Sequence, residues 1–459
     1  MSNPSWKAVE RLRLDTLNEL FNEIRHGSPF YQHKLAAWAG TKFSSLDELE
    51  ELPLTDKREL QAGGRSYVRH GQRPHAYFES SGTTGAPLAG YPDLSFQKSI
   101  SFGAHLDQWM GLKLARVELA AVALGFEMSP VGARFQQALQ SIPVSVIPLG
   151  VRSTMCTPMR SVDVLLRTGP QAIFSRPLEL LRYGDVIQDV APHELDMQKV
   201  FFLGEVMSEG KCARIRRVWN DAHIYGHYGL TELDTGLQTC DLGNYHEPDT
   251  PFVHVELLRL ADDSPIKRPG ERGQLVVSTL RNSVAPLLRY KTADVAQRVS
   301  CGCGLYSPAY RIFGRIVDEA RIGHRTLFPC ELENMVLGVP QVGNEFQFVL
   351  EPEGRLTIRL EVDRGHQVAH GQLAANVRAR LPQEIEAHVD IEVHPYGCLA
   401  DKLGIAKKKS GQFVDLRRTD PAQRAASLAM NVIDSQALEE ISPRSYPWPV
   451  RQQTPALSG

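Results

Sequence analysis

The chain has no excess of either charge. Its 51 Lys and Arg stand against 53 Asp and Glu, a formal charge of −2, so neither nucleic acid nor an anionic membrane surface is an expected partner. Long apolar runs are missing too. A bilayer span needs roughly twenty apolar residues, and a stretch such as Val117 to Phe126 has only strand length. Met1 to Glu10 is polar and leads into no uninterrupted apolar run, so no signal peptide is expected. Cysteine is sparse, seven residues in 459 without paired spacing throughout, which fits a reducing compartment better than a disulfide scaffold. These absences together place the protein in the cytoplasm. With 42% hydrophobic and 23% charged residues the chain is ordinary globular material. Its length calls for two or three domains, and no internal repeat is visible.

One short stretch stands out from this background. Glu79-Ser80-Ser81-Gly82-Thr83-Thr84-Gly85-Ala86-Pro87 carries two glycines, four hydroxyls and a closing proline. Gly82 and Gly85 permit positive φ and close backbone approach. Successive N–H groups can then converge on one anion while Ser80, Ser81, Thr83 and Thr84 add side-chain donors. A polar surface turn uses the same residue types. The loop also lacks the Gly-Lys-Ser/Thr ending of the common nucleotide loop, since Pro87-Leu88 stands there. A cation and a metal ligand must therefore come from elsewhere.

Along the chain, apolar residues from Trp6 to Ile24 fall at helical spacing, with Gly27-Ser28-Pro29 as the stop. Beyond the loop, helix Leu94 to Met110, strand Val117 to Leu124, helix Phe135 to Leu139 and strand Val144 to Leu149 are expected. Strand Ala172 to Phe174, helix Leu178 to Asp189, strand Lys199 to Leu203, helix Ser208 to Asn220 and strand Ala222 to Tyr225 continue the pattern. This alternation predicts a parallel sheet flanked by helices, with ligands beyond the strands' carboxyl ends. Val253 to Arg259 and Gly273 to Thr279 read as antiparallel strands of a small β unit. After Arg315 come helix Cys330 to Leu337, strands Phe346 to Leu350 and Leu356 to Val362, helix Gln367 to Leu381 and strand Val389 to Val393, an α+β unit. The expected fold is α/β: a large unit over 1–313, a smaller mobile α+β unit over 314–418, and a helix with a Pro-rich tail over 419–459.

Tyr228-Gly229-Leu230-Thr231-Glu232, Arg289-Tyr290-Lys291-Thr292-Ala293-Asp294 and Gly314-Arg315-Ile316-Val317-Asp318 follow the loop in that order. The set resembles the adenylate-forming superfamily of acyl-CoA synthetases, luciferases and peptide-synthetase adenylation domains, and within it the phenylacetate-CoA ligase-like branch. The resemblance runs from about Leu12 to Arg417. It implies attack of a substrate carboxylate on the α-phosphorus of ATP, loss of pyrophosphate, and transfer of the acyl group from AMP to a thiol. By this resemblance Glu232 is the Mg²⁺ ligand, Thr231 a phosphate hydroxyl, Asp294 the acceptor of the ribose hydroxyls and Arg315 a ribose or phosphate cation. Mg²⁺ needs only one or two carboxylates beside phosphate oxygens. Gly204, Glu205, Tyr225, Tyr228 and Gly229 fall where the family builds its adenine shelf; either tyrosine could equally be a strand-end core residue. Phe126 and Met128 suit an aromatic acid, though they could also be core.

Two positions depart from the family pattern. The hinge residue two places after the arginine is Val317, with Asp318 next, and the C-terminal Ser-Gly-Lys reads Ser410-Gly411-Gln412. Lys409, or Lys407 or Lys408, takes the catalytic role by a register shift, or the run is a solvated basic patch. A second constellation joins Cys240 and His246 to Cys301 and Cys303, a Cys₃His set of the structural zinc type; buried free thiols are the alternative. The resemblance thus implies an acid–CoA ligase using ATP, Mg²⁺ and CoA, with structural Zn²⁺ and a small carboxylic acid, aromatic by closeness to the branch; a homodimer stays open. Two alternatives are an adenylating enzyme serving an amine, alcohol or carrier-protein thiol, which Val317 and Gln412 favour slightly, and a non-catalytic nucleotide-binding relative, against which Thr231, Glu232, Asp294 and Arg315 all speak.

Overall fold

The computed structural model describes residues 4–80, 88–92, 94–110, 117–151, 155–190, 195–233, 236–281, 284–399 and 413–417. Among the described residues the chain builds an eleven-stranded sheet and a separate four-stranded one. The alternating β-branched and apolar runs read from the sequence become the parallel half of the large sheet. Strands Ser145–Ile147, Leu119–Ala123, Ala172–Ser175, Lys199–Leu203 and His223–Tyr228 lie side by side in that order. The three central ones, Leu119–Ala123, Ala172–Ser175 and Lys199–Leu203, are buried on both faces, as crossover helices require. On one face Phe174, Phe201 and Leu203 of the sheet pack against Leu106 of helix Phe96–Met110 and Phe135 of helix Pro130–Gln140. On the other, Ile173, Val200 and Phe202 meet residues of helices Pro158–Thr168, Pro177–Val190 and Glu209–Val218. The helix Pro158–Thr168 is absent from the sequence reading, yet Thr157 caps it, Pro158 opens it and Gly169 closes it at φ +60°.

After Tyr228 every pairing in the sheet turns antiparallel. Strands Val253–Leu258 and Arg272–Thr279 pair as expected, at the antiparallel end of the large sheet. Strands Tyr290–Val299 and Ala309–Arg315, unread in the sequence, link them edge to edge with the parallel half. Their polar composition, with positive φ at Arg289 and Ala293 and a register shift at Val295/Ala296, hides the alternation that marks a strand.

The helix Pro4–Gly27 docks as its apolar spacing predicts, with Leu17, Leu20, Phe21 and Ile24 clustered with Leu280 and Leu288, which flank the connection between strands Arg272–Thr279 and Tyr290–Val299. Its Arg13, 1% exposed, pairs with Glu247 and donates to the carbonyls of Pro248 and Thr250. Gly27-Ser28-Pro29 stops this helix but also starts Pro29–Lys34, because Ser28 caps it and proline is tolerated at its first position. Beyond Ala320 a distinct core forms around strands Val389–His394, Leu356–Val362, Val342–Leu350 and Phe413–Asp415 with helices Pro329–Leu337 and His370–Arg378. Among the described residues no helix is long and apolar enough to cross a membrane.

Candidate active site

The last parallel strand ends at Tyr228, where the sheet changes sense, and the residues singled out in the sequence gather there. Asp294 and Arg315 are directly opposed across strands Tyr290–Val299 and Ala309–Arg315, with Arg315 Nε 3.9 Å from Asp294 Oδ1. Asp294 is 7% exposed. It accepts a 2.6 Å hydrogen bond from the Tyr228 hydroxyl. Burial, with the carboxylate beside it, pushes that phenol's pKa well up, so Tyr228 stays a donor. Its hydroxyl therefore holds the proposed ribose carboxylate in place.

Glu232 is held in the same way. Tyr290 donates to its Oε1 at 2.7 Å, and burial raises the Tyr290 pKa. A cation that the sequence reading missed stands close by. Lys57 opens helix Lys57–Gly63, and its pKa is lowered by burial, opposed by the Glu232 carboxylate and lowered further by the Arg315 charge. Its position follows from a bridge between Thr55 and Tyr290, closed by Lys291 N–H to Thr55 O at 2.8 Å and Thr55 N–H to Arg289 O at 2.9 Å. Arg289 anchors that segment from inside, paired with Glu256 and donating to the carbonyls of Glu50 and Leu52.

Ser81, Gly82, Thr83, Thr84 and Gly85 lie outside the described residues, as does Lys409. The two ends of the loop are described. Strands Phe78–Glu79 and Ala89–Gly90 pair antiparallel, Ser80 N–H donates to Leu88 O at 2.9 Å, and Leu88 N–H donates to Ser80 Oγ at 2.8 Å. Ser80 is thus a clasp at the loop base. A Cβ on Gly90 would lie 3.0 Å from the Thr231 carbonyl oxygen, so glycine lets the hairpin lie against Thr231 without displacing it.

Other expected residues fall differently. Tyr225 and Tyr228 are three apart on one strand, so they face opposite sides of the sheet. Tyr225 stacks on Phe201 at 5.4 Å with Lys199 over its ring, the packing of the strand-end core alternative. Gly204 adopts φ +78°, and Glu205 lies within electrostatic reach of Lys211, Arg182 and Glu333. Gly229 sits below His227, whose Nε2 would be 3.2 Å from a Cβ placed there. Phe126 packs on the aromatic side of the sheet. Met128 is 52% exposed and does not line a closed pocket.

The cysteine constellation assembles. Cys240, His246, Cys301 and Cys303 bring their ligand atoms within 4.8 Å of one another. Cys240 and Cys301 sulfurs are 3.7 Å apart and Cys303 Sγ is 3.4 Å from His246 Nε2. Zn–S bonds of about 2.3 Å in a tetrahedron put sulfurs roughly 3.8 Å apart, so the donor set fits zinc. His246 Nδ1 rests on Ser307 O at 3.1 Å, the outer contact that orients a ligating imidazole. Gly243 at φ +78° gives the turn between Cys240 and His246 its shape.

Residues 325–417 match the family described as the AMP-binding enzyme C-terminal domain. Phenylacetate-coenzyme A ligase of Pseudomonas putida is 23% identical over 441 residues, covering 88% of this chain and 93% of that protein. A 2-hydroxyisobutyryl-CoA ligase in the postadenylation state superposes with a TM-score of 0.79 at 19% identity, covering 94% of this chain and 92% of that one. The same ligase in the thioesterification state gives 0.61 at 18% identity, covering 95% and 93%.

Proposed function

We propose that this chain, a member of the adenylate-forming superfamily in its phenylacetate-CoA ligase-like branch, is an ATP-dependent, AMP-forming acid–CoA ligase. The observation that carries the reading is the convergence of Asp294, Arg315, Glu232 and Lys57 at the end of the last parallel strand. A carboxylate oxygen attacks the α-phosphorus, the bond to pyrophosphate breaks, and acyl-AMP forms. A CoA thiolate then attacks the acyl carbonyl and AMP leaves with the bonding electrons. Lys57 and Arg315 stabilise charge spreading over the phosphate oxygens, Asp294 accepts from the ribose hydroxyls, and Thr231 with the 81–85 backbone positions the phosphates. Mg²⁺ held by Glu232 would neutralise phosphate charge. Residues 314–418 act as a mobile unit with Lys409 reaching the site, and the enzyme works in the cytoplasm on an aromatic acid.

The decisive assay is acid-dependent exchange of labelled pyrophosphate into ATP, followed by CoA-dependent AMP release. Exchange with several aryl acids and thioester formation with CoA are expected. Exchange without thioester formation points to another acceptor, and no exchange with any acid refutes ligase activity. Zn²⁺ held by Cys240, His246, Cys301 and Cys303 has a closed donor set and serves structure.

A further inference from the structure

His227 precedes Tyr228 on the strand and so faces the other side of the sheet, at the same strand end as Thr231 and Glu232. Its imidazole meets two aromatic rings edge-on, Phe102 at 5.8 Å and Phe135 at 5.5 Å. Directly opposite it, on the neighbouring strand, stands Gln238, 2% exposed. His227 Nδ1 and Gln238 Nε2 are both buried without a hydrogen-bond partner. His105 from helix Phe96–Met110 interacts with the Gln238 side chain. A histidine serving only as core would have its buried nitrogen satisfied, and two orphaned polar atoms on facing positions are costly unless something joins them.

From this geometry we infer that His227 and Gln238 recognise a hydroxyl on the acyl portion of the substrate, making the enzyme selective for hydroxylated aromatic carboxylic acids. The inference rests on the ligase reading, which puts the carboxylate near Glu232. From there the acid extends along the face that carries Phe102, Phe126 and Phe135. An arene fills the aromatic surroundings, and one substituent reaches the two polar atoms. Burial, with the charges of Arg134 and His105 next, lowers the His227 pKa to about 3, so the ring is neutral and offers an acceptor as well as a donor. The Arg134 guanidinium, tied to Leu233 O at 3.0 Å, opposes a cationic substituent. A hydroxyl, donor and acceptor in one uncharged group, matches both atoms. His105 acts only by positioning Gln238.

The test compares kcat/KM for pyrophosphate exchange between acids matched except for a hydroxyl: benzoate against its 2-, 3- and 4-hydroxy forms, phenylacetate against its ring-hydroxylated forms. One hydroxylated member should be preferred about 10- to 100-fold, the selectivity of a site whose buried polar groups are otherwise left unpaired. His227→Leu should bring the ratio close to one, expressed mainly through KM, and His227→Gln should restore part of it. Gln238→Met gives the same readout from the partner strand should His227→Leu fail to fold. Equal kcat/KM across every wild-type pair overturns the inference and assigns the two atoms to a resident water. So does a preference that survives in folded His227→Leu. Exchange with unsubstituted acids alone keeps the ligase and sinks the selectivity, whereas no exchange with any acid sinks both.

Discussion

Glu232 and Asp294 are each held by a tyrosine hydroxyl, and the two pairs differ in how replaceable they are. Glu232 carries the charge that would hold Mg²⁺ against the phosphates, so Glu232→Gln should lower pyrophosphate exchange by about 10³-fold. The variant keeps its shape and its bond from Tyr290, so its thermal transition should stay within a few degrees of wild type. Full exchange in the folded variant would remove Glu232 from the site. Tyr290→Phe deletes only the 2.7 Å bond that aims the carboxylate, and about a tenfold loss is expected in the same assay. Lys57→Met should cost more than Tyr290→Phe, since it deletes a cation within electrostatic reach of both Glu232 and Arg315. Of these residues Glu232, Asp294 and Arg315 were legible as motif residues, because short strings around them carry their identity. Lys57 was not. Its place depends on Thr55 pairing with Tyr290, a long-range bridge between segments that look unremarkable separately.

The parallel strands and their helices were readable because burial on both faces leaves continuous apolar runs between clear stops. The strands holding Asp294 and Arg315 were not, since Arg289 and Ala293 at positive φ break the alternation and Lys291, Gln297 and Arg298 dilute it. Tyr225 and Tyr228 come from one short string, yet strand periodicity puts the two on opposite faces, a separation that only the strand assignment makes visible. The Cys₃His loops were legible from residue type, and only the fold shows that strand Tyr245–His246 pairs with Ala309–Arg315 to bring His246 beside Cys303. Purified, undialysed protein should therefore contain about one zinc per chain. Cys301→Ser and Cys303→Ser should lose the metal and lower Tm, because metal bound only by the folded site adds directly to folding free energy. Absence of zinc by elemental analysis contradicts this.

Across the whole molecule the two sheets meet through charges. Lys211 of helix Glu209–Val218 pairs with Glu333 at 2.6 Å, Arg182 with Glu345 at 2.8 Å, and Asn344 donates to Asp185 at 2.6 Å. Burial raises the Asp185 pKa to about 7, moderated by Asn344 and raised further by Glu345 and Asp363, with Arg214 opposing. Folding and docking thus favour protonated Asp185. The advantage is complete below the unfolded pKa of about 4, fades as pH rises, and is lost above about 7. Asp185→Asn should accordingly raise Tm at pH 8 by a few degrees and flatten that part of the pH profile; an unchanged Tm at pH 8 contradicts it. If the smaller unit must leave this docked position for the thiol step, the turn linking the two sheets has to move. Gly314 at φ +133° and the 3₁₀ turn Ile316–Asp318 make that link, with Arg315 extended between them. A few residues that absorb φ/ψ change are enough for such a motion. Val317 is stiff at χ1, so Val317→Asp should speed thiol transfer more than adenylation. Proline there fixes φ, and in the first turn of a helical segment it is tolerated, so the docked arrangement is kept while the swing is blocked. Val317→Pro should keep pyrophosphate exchange near wild type and cut single-turnover transfer from preformed acyl-AMP to CoA by at least about tenfold. A parallel fall in both half-reactions would move the hinge away from this turn, and an undiminished transfer rate would mean that the docked arrangement itself admits the thiol.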